Sequence, residues 1–466
     1  MSILSIYSLK LKQALTIKSL LFLPLILFFS FHSAFSAEVI NVPSSDTPAL
    51  IQAIIDAEGD PDETTINLGG GTYTLTAINN SIIADVGLPI ITTNVIINGN
   101  GSRIHRSDAP GTPEFRILIF DDDENTLTIN DLTISNGIAN SFGAGGLANQ
   151  SDGTVNIHNS VIENNLLTNS FGAGGLSNNS NGTMNIYDSI IQDNRSISSS
   201  SLASGVNNNS NGLMTITRTT VRRNITESIA FFVSGGGVHN NSNGDMFITE
   251  SAIYDNMGIR GGGLNNNSNG NVTVVNTTLS NNTAIDEGGN IFNNSNGDIF
   301  IDSSTISEGN SQSNEGSNIF DRDSDGQIFL LNTIIANPVV GTNCAGAPIV
   351  SDGYNMETQN TCNLNAVGDQ PNTNPMLGPL AVDGGPTATH ALSNDSPAID
   401  TGNVNCPPPG TDQRGIIRPQ LSRCDIGAYE FSVDSVPTMS EWGLIFLAAF
   451  IGLISLYTIR RKAHSA

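Results

Sequence analysis

Arginines and carboxylates that share a repeat position are the first residues here whose types and spacing could do chemistry. Arg222 falls at the same point of a recurring phrase as Glu163, Gln192 and Tyr254. Arg218 and Arg223 flank it, and Asp193, Glu250 and Asp255 stand in neighbouring repeats. Hydrolysis of a glycosidic bond needs two carboxylates converging on the sugar. Elimination from an acidic sugar needs carboxylates clustered on Ca2+ and a basic residue that takes a proton. No acidic position persists over adjacent repeats, so these charges read first as solvated ion pairs between repeats.

Two further groups are candidates. Asp321, Asp323 and Asp325 lie in Asp321-Arg322-Asp323-Ser324-Asp325-Gly326, which follows the start of a Ca2+ loop. Its twelfth position is Asn332, where such a loop needs a bidentate Glu, and Ser324-Asp325-Gly326 coincides with the ordinary repeat turn. The expectation is no cofactor, with Ca2+ at these aspartates as a minority reading, and again at Asp121-Asp122-Asp123-Glu124, a run that reads first as a solvated loop. Phe247, Phe300 and Phe329 share a position expected to face outward, and Tyr187 and Tyr254 fall on other outward positions. With Arg222 they are candidate ligand contacts, because exposed rings stack on sugars or fill protein interfaces. The competing expectation is that inserted loops or the C-terminal cap cover them. The glycine triplets lack a following Lys-Ser/Thr and open no helix, so they form no nucleotide site.

The element that positions these residues is a phrase repeated seven times, from Gly153, Gly182, Gly212, Gly244, Gly270, Gly297 and Gly326. The intervals are 29, 30, 32, 26, 27 and 29 residues, which indicates stacked units. Two places after the glycine stand Val155, Met184, Met214, Met246, Val272, Ile299 and Ile328. Four places after it stand Ile157, Ile186, Ile216, Ile248, Val274, Ile301 and Leu330. Period-two alternation predicts a strand with one face buried. The seventh place is always Ser or Thr and the ninth apolar, which predicts a corner and a second strand. Asn165, Asn194, Asn224, Asn256 and Asn282 mark the next turn, where Asn tolerates left-handed geometry, and stacked amides can satisfy one another. A third segment, Gly-Gly-Leu or a variant, precedes each glycine. A degenerate eighth coil begins near Asn125. The fold class expected is all-β: a right-handed parallel β-helix with three strands per coil over residues 38–331. A helical repeat would show 3.6 periodicity and few glycines, whereas this chain has 47.

Composition narrows the partners. The formal charge is -25, with 18 Lys and Arg against 43 Asp and Glu, so nucleic acid and anionic lipid surfaces are excluded as main partners. Residues 1–37 read as a signal peptide: Lys10, Lys12 and Lys18, an apolar run from Leu20 to Phe31, then Ser33-Ala34-Phe35-Ser36-Ala37. Cys344, Cys362, Cys406 and Cys424 allow three pairings in an exported chain. The local pairs Cys344–Cys362 and Cys406–Cys424 are favoured because each closes a short loop. Residues 47–57 predict an amphipathic helix with Pro48 in its first turn, followed by a strand from Thr65. That succession resembles the N-terminal end of pectate-lyase-like right-handed β-helices, which implies a helix plugging the open core.

Beyond Asn332 the phrase gives way to Ser351-Asp352-Gly353-Tyr354-Asn355, Asp383-Gly384-Gly385-Pro386-Thr387, Ser396-Pro397-Ala398-Ile399-Asp400 and Asp412-Gln413-Arg414-Gly415. Cys424-Asp425-Ile426-Gly427-Ala428-Tyr429-Glu430 closes the series. Residues 332–431 resemble the choice-of-anchor Q region of bacterial surface β-helix proteins, which implies a C-terminal cap and surface attachment. Residues 432–466 contain Val436-Pro437-Thr438-Met439-Ser440-Glu441-Trp442, an apolar run over about 442–459, and Arg460-Arg461-Lys462. They resemble the IPTL-CTERM sorting signal, which implies a transmembrane helix, a sorting peptidase of the exosortase type as partner, and a β-helix outside the inner membrane. The function expected is an adhesive, structural or polysaccharide-binding one, with an extracellular polysaccharide or a surface protein as partner. The alternative is a polysaccharide lyase or glycoside hydrolase.

Overall fold

The computed structural model describes residues 38–197, 203–227, 235–241, 243–267, 269–322, 325–406, 410–432 and 449–451. The expected signal peptide, the Val436–Trp442 motif and nearly all of the 442–459 segment lie outside them. No described helix is long and apolar enough to cross a membrane.

The repeat winds into a parallel β-solenoid of right-handed type with about ten turns. Each strand pairs with its equivalent one coil on. Val155, Met184, Met214, Met246, Val272, Ile299 and Ile328 are therefore in register. This column and that of Ile157 to Leu330 are buried and fill the core. First and second strands belong to one 21-stranded sheet, and only two corner residues separate them in each repeat coil, as Asn159 and Ser160 do. The first of the two is left-handed: Asn159, Asp188, Arg218, Glu250 and Asn276 have φ between 46° and 52°. Seven coils also have a fourth strand of two residues, such as Leu166–Leu167, Arg195–Ser196 and Ile225–Thr226. The expected three strands become four; two residues are too short to show an alternation in sequence.

Polar ladders line the inside of the corners. The amide of Asn194 donates to Asn224 at 3.0 Å, that of Asn224 to Asn256 at 2.9 Å and that of Asn256 to Asn282 at 3.0 Å. Each also donates to a backbone carbonyl, as Asn224 does to Ile191 at 3.0 Å. The left-handed residue of this corner is one place earlier: Asn164, Asp193, Arg223, Asp255 and Asn281 carry the positive φ. Asn at the following place is selected by the buried ladder rather than by its own backbone. Beyond Asn282 the ladder changes sides, to Asn290, Asn318 and Asn343. Earlier coils hold glycine at that second place. A side chain at Gly205 would stand 3.0 Å from the Asn224 amide. Gly309 takes over on the first side, where a side chain would stand 2.7 Å from Asn318 Oδ1. The corner thus holds one asparagine row with a glycine opposite. The Ser/Thr column forms a third row: Ser189 donates to the Tyr187 carbonyl at 2.6 Å and accepts the Ser160 N–H at 3.1 Å.

Both core ends are closed. The helix Thr47–Glu58, capped by Asp46 and carrying Pro48 in its first turn, buries Leu50, Ala53, Ile54 and Ala57 over the first coil. At the other end Cys344, Cys362 and Leu364 join the main core, and Cys344 is bonded to Cys362, with Cys406 bonded to Cys424. Converting both Cys344 and Cys362 to serine releases an 18-residue separation and should cost about 3 kcal/mol of stability in urea unfolding. A loss under about 1 kcal/mol would show that packing alone closes this end.

Residues from about 375 to 431 do not extend the solenoid. They double back along its side as a strap containing the hairpin Leu377–Ala381 and Thr389–Leu392. Thr387 donates to the Glu250 carbonyl at 2.9 Å, Thr278 to Gln413 at 2.6 Å and Ser280 meets His390 at 2.9 Å. Near the far end the Ala428 N–H donates to Thr305 at 3.0 Å. Leu392, Ala398 and Ile426 of the strap form a second small core with Ile334, Ala336 and Met356.

Candidate functional site

The strap divides the outer face of the second strands in two. Its uncovered half carries the Arg222 column in the expected register, Glu163–Gln192–Arg222–Tyr254, which continues to Ser280 beneath the strap. Gln192 donates to Glu163 at 2.7 Å, and Arg222 donates to Gln192 at 2.9 Å and to the Tyr254 hydroxyl at 2.9 Å. Arg103, which the repeat does not mark, adds a 2.7 Å ion pair to Glu163. Alongside, Arg218 holds Asp188 at 2.6 Å and Arg223 holds Asp193 at 2.7 Å. The Arg218 hydrogen bond pulls the Asp188 carboxyl below the usual range. Every carboxylate of this patch named so far is tied to a neighbouring coil. Such chains hold coils together and leave neither a proton donor nor a base poised for a sugar. Tyr187 lies apart, stacked on His158 at 4.9 Å between centroids, with burial lowering the His158 pKa.

The phenylalanine column is not covered. Phe247, Thr273, Phe300 and Phe329 follow one another in register. Phe247 and Phe300 are each 39% exposed. Thr273 separates Phe247 from the others, whereas Phe300 and Phe329 stack with centroids 5.0 Å apart and planes 13° apart. These two rings form one wall of a shallow depression of about 130 Å³, completed by Ile301, Asp302, Leu331 and Asp352. It is smaller than the roughly 300–1,000 Å³ of enclosed ligand pockets, so it is a shelf for part of a larger molecule.

Two carboxylates on this shelf were not marked by the sequence reading. Asp302 pairs in register with Leu331. Burial pushes its carboxyl up to about 6, against the opposing pull of the Ser303 hydrogen bond and the Arg418 charge. Asp352 owes its place to a slip in register: Leu330 faces Ser351, but Leu331 faces Gly353. The extra residue is Asp352, exposed at the rim. Bulges of this kind re-aim side chains and gather near functional sites. Gly353 lies two rungs from Asp302, roughly 10 Å at about 4.8 Å per rung. The one available sequence signal was Asp302 itself, the only acid in a column of His158, Tyr187, Thr217, Thr249 and Val275.

Of the Ca2+ candidates, Asp321 and Asp325 lie among the described residues. Asp321 is buried and accepts a 3.0 Å hydrogen bond from Asn293, at the end of an inner row that begins at Asn149. Asp323 lies outside the described residues, among which no group of three or more His, Cys, Asp or Glu could hold a metal.

Comparison with known proteins gives three findings. The crystal structure of pectate lyase Pel9A is similar over 85% of this chain and 97% of that chain, at 15% identity and a TM-score of 0.41. No curated protein matches. The IPTL-CTERM motif matches residues 434–461, a C-terminal sorting signal for membrane anchoring. That signal makes the chain an exported, cell-surface-anchored bacterial protein whose β-solenoid lies outside the cell.

Proposed function

We propose that this protein binds an extracellular polysaccharide on the shelf formed by Phe300, Phe329, Asp302 and Asp352 while its C-terminal segment tethers it to the cell. Export through residues 1–37 and anchoring through the apolar run at 442–459 belong to this reading. The observation that carries it is the pair of near-parallel phenyl rings, Phe300 exposed and Phe329 partly buried, beside two carboxylates. An apolar pair left in water at this rung costs stability, and ring faces flanked by hydrogen-bond acceptors suit the alternating apolar and hydroxyl faces of a sugar. The uncovered Arg222 patch supports the same molecule as a set of braces between coils.

A glycan array with wild type and the Phe300→Ala/Phe329→Ala double variant tests the reading. The variant should bind about tenfold more weakly or worse, the equivalent of about 1.4 kcal/mol. Unchanged binding would remove the shelf from the ligand site. A second reading, hydrolysis, is favoured by one observation: a carboxyl raised to about 6 by burial shares the depression with a second carboxylate, Asp352, and glycoside hydrolysis uses such an acid with a partner carboxylate. Release of new reducing ends from a bound polysaccharide, abolished by Asp302→Asn, would establish it, and binding without release would end it.

A further inference from the structure

We infer that the shelf selects sugars bearing a free, positively charged amine, so that its ligand is an amino-sugar polymer rather than a neutral or uronic acid one. This rests on the polysaccharide-binding reading above and deepens it. The six lining residues include two carboxylates and no cation. The cation whose charge acts on Asp302 is Arg418, whose side chain is buried in the strap and cannot reach a ligand. The chain as a whole is strongly acidic: its net charge is -25, and no lysine occurs between Lys18 and Lys462. A uronate would approach carboxylates with no arginine to pair with, at a cost in desolvation and repulsion. An ammonium group gains twice, from the carboxylates and from the faces of the stacked rings. The aromatic pair and the bulge that re-aims Asp352 are separate features, and both place their groups on the same depression.

The test uses the full exported chain and three oligosaccharides of equal length: β-1,4-linked glucosamine, its N-acetylated form and galacturonate. At pH 7 the glucosamine oligomer should bind at least tenfold tighter than its N-acetylated form, and galacturonate should bind weakest. Asp352→Asn, at an exposed position that tolerates the change, should narrow the preference to under threefold without abolishing binding of the N-acetylated form. Carbodiimide coupling should join the glucosamine amine to Asp302 or Asp352, and the lysine-free solenoid offers no competing side-chain amine. Equal binding of the amine and N-acetyl forms would overturn the amine selection and leave polysaccharide binding standing. Preference for galacturonate would overturn it as well. Binding of none of these oligomers, nor of any polysaccharide on the array, would overturn both.

Discussion

Asn224→Leu should destabilise the solenoid by about 3–6 kcal/mol, although leucine fits the volume and the site is fully buried. The Asn224 amide donates to the Ile191 carbonyl and to Asn256, and its oxygen accepts the Asn194 N–H at 3.1 Å and the Asn194 amide at 3.0 Å. Leucine removes one partner from each of several buried groups at once, and an unsatisfied buried group costs about 1–3 kcal/mol. Backbone rows on either side cannot rotate to compensate, because each is paired with the next coil. A solenoid is held by nearest-neighbour interfaces, so the damage should be local. Hydrogen exchange should accelerate first in the coils containing Asn194, Asn224 and Asn256, with the helix-capped first coil still protected. Asn211, in the exposed row with Asn181 and Asn243, provides the contrast. Asn211→Ala should change stability by less than about 0.5 kcal/mol. Equal losses at the two positions would sink the argument that burial gives the inner ladder its weight.

Arg418→Met should release the strap while leaving the solenoid folded. Arg418 has no side-chain exposure, donates to the Gly427 carbonyl at 2.7 Å and the Asp425 carbonyl at 3.2 Å, and stands 3.9 Å from the Glu430 carboxylate. Removing it strands buried acids without a cation, a change worth about 3–5 kcal/mol. Trypsin reports it directly, since arginine is the only cleavage residue between Lys18 and Lys462. Cleavage after Arg414, now 5% exposed and paired with Asp412, should become fast, whereas the solenoid should resist. Uniform digestion of the chain would show that strap and solenoid unfold as one unit.

The same cluster gives the strap a pH dependence of definite sign. Burial pushes the Asp425 carboxyl up to about 7, with Glu430 as a second cause, and burial raises Glu430 too. The Arg418–Glu430 pair is too long to reverse the shift. Unfolded carboxyls titrate near 4, so between about 4 and 7 the docked strap holds more protons than the released one. The stabilisation is complete below about pH 4 and is lost as pH rises through 7. Tryptic release of the strap should therefore be faster at pH 8 than at pH 6. In Asp425→Asn that difference should shrink, because the titrating group is gone, although the amide oxygen can accept only one of the two backbone N–H bonds, from Asp400 and Phe431, that the carboxylate takes. An unaltered pH response in that variant would move its origin elsewhere.

The amino-acid sequence by itself determined the solenoid. Met184, Ile186, Ser189, Ile191 and Asn194 each contact the same residue type one period away, so their packing requirements recur as a period and can be read off. The local disulfides and the plugging helix were readable for a similar reason, because their partners are close in the chain. Even there the cause of a pattern could be misplaced by one residue, as with the left-handed corner at Arg223 rather than Asn224. Only the tertiary structure decided the path of the strap and the make-up of the shelf. The strap docks on residues more than 100 positions away, as at Ser280 with His390, with no repeating register to announce it. Its one trace in the column is a change from Gln192, Arg222 and Tyr254 to Ser280, Ser307 and Ala336, small side chains that leave room beneath it. Asp352 faces the shelf with Asp302 only because one residue is extra in a single strand. A period comes from contacts that recur at every coil; a contact made once leaves no pattern, and both the strap and the shelf are made once.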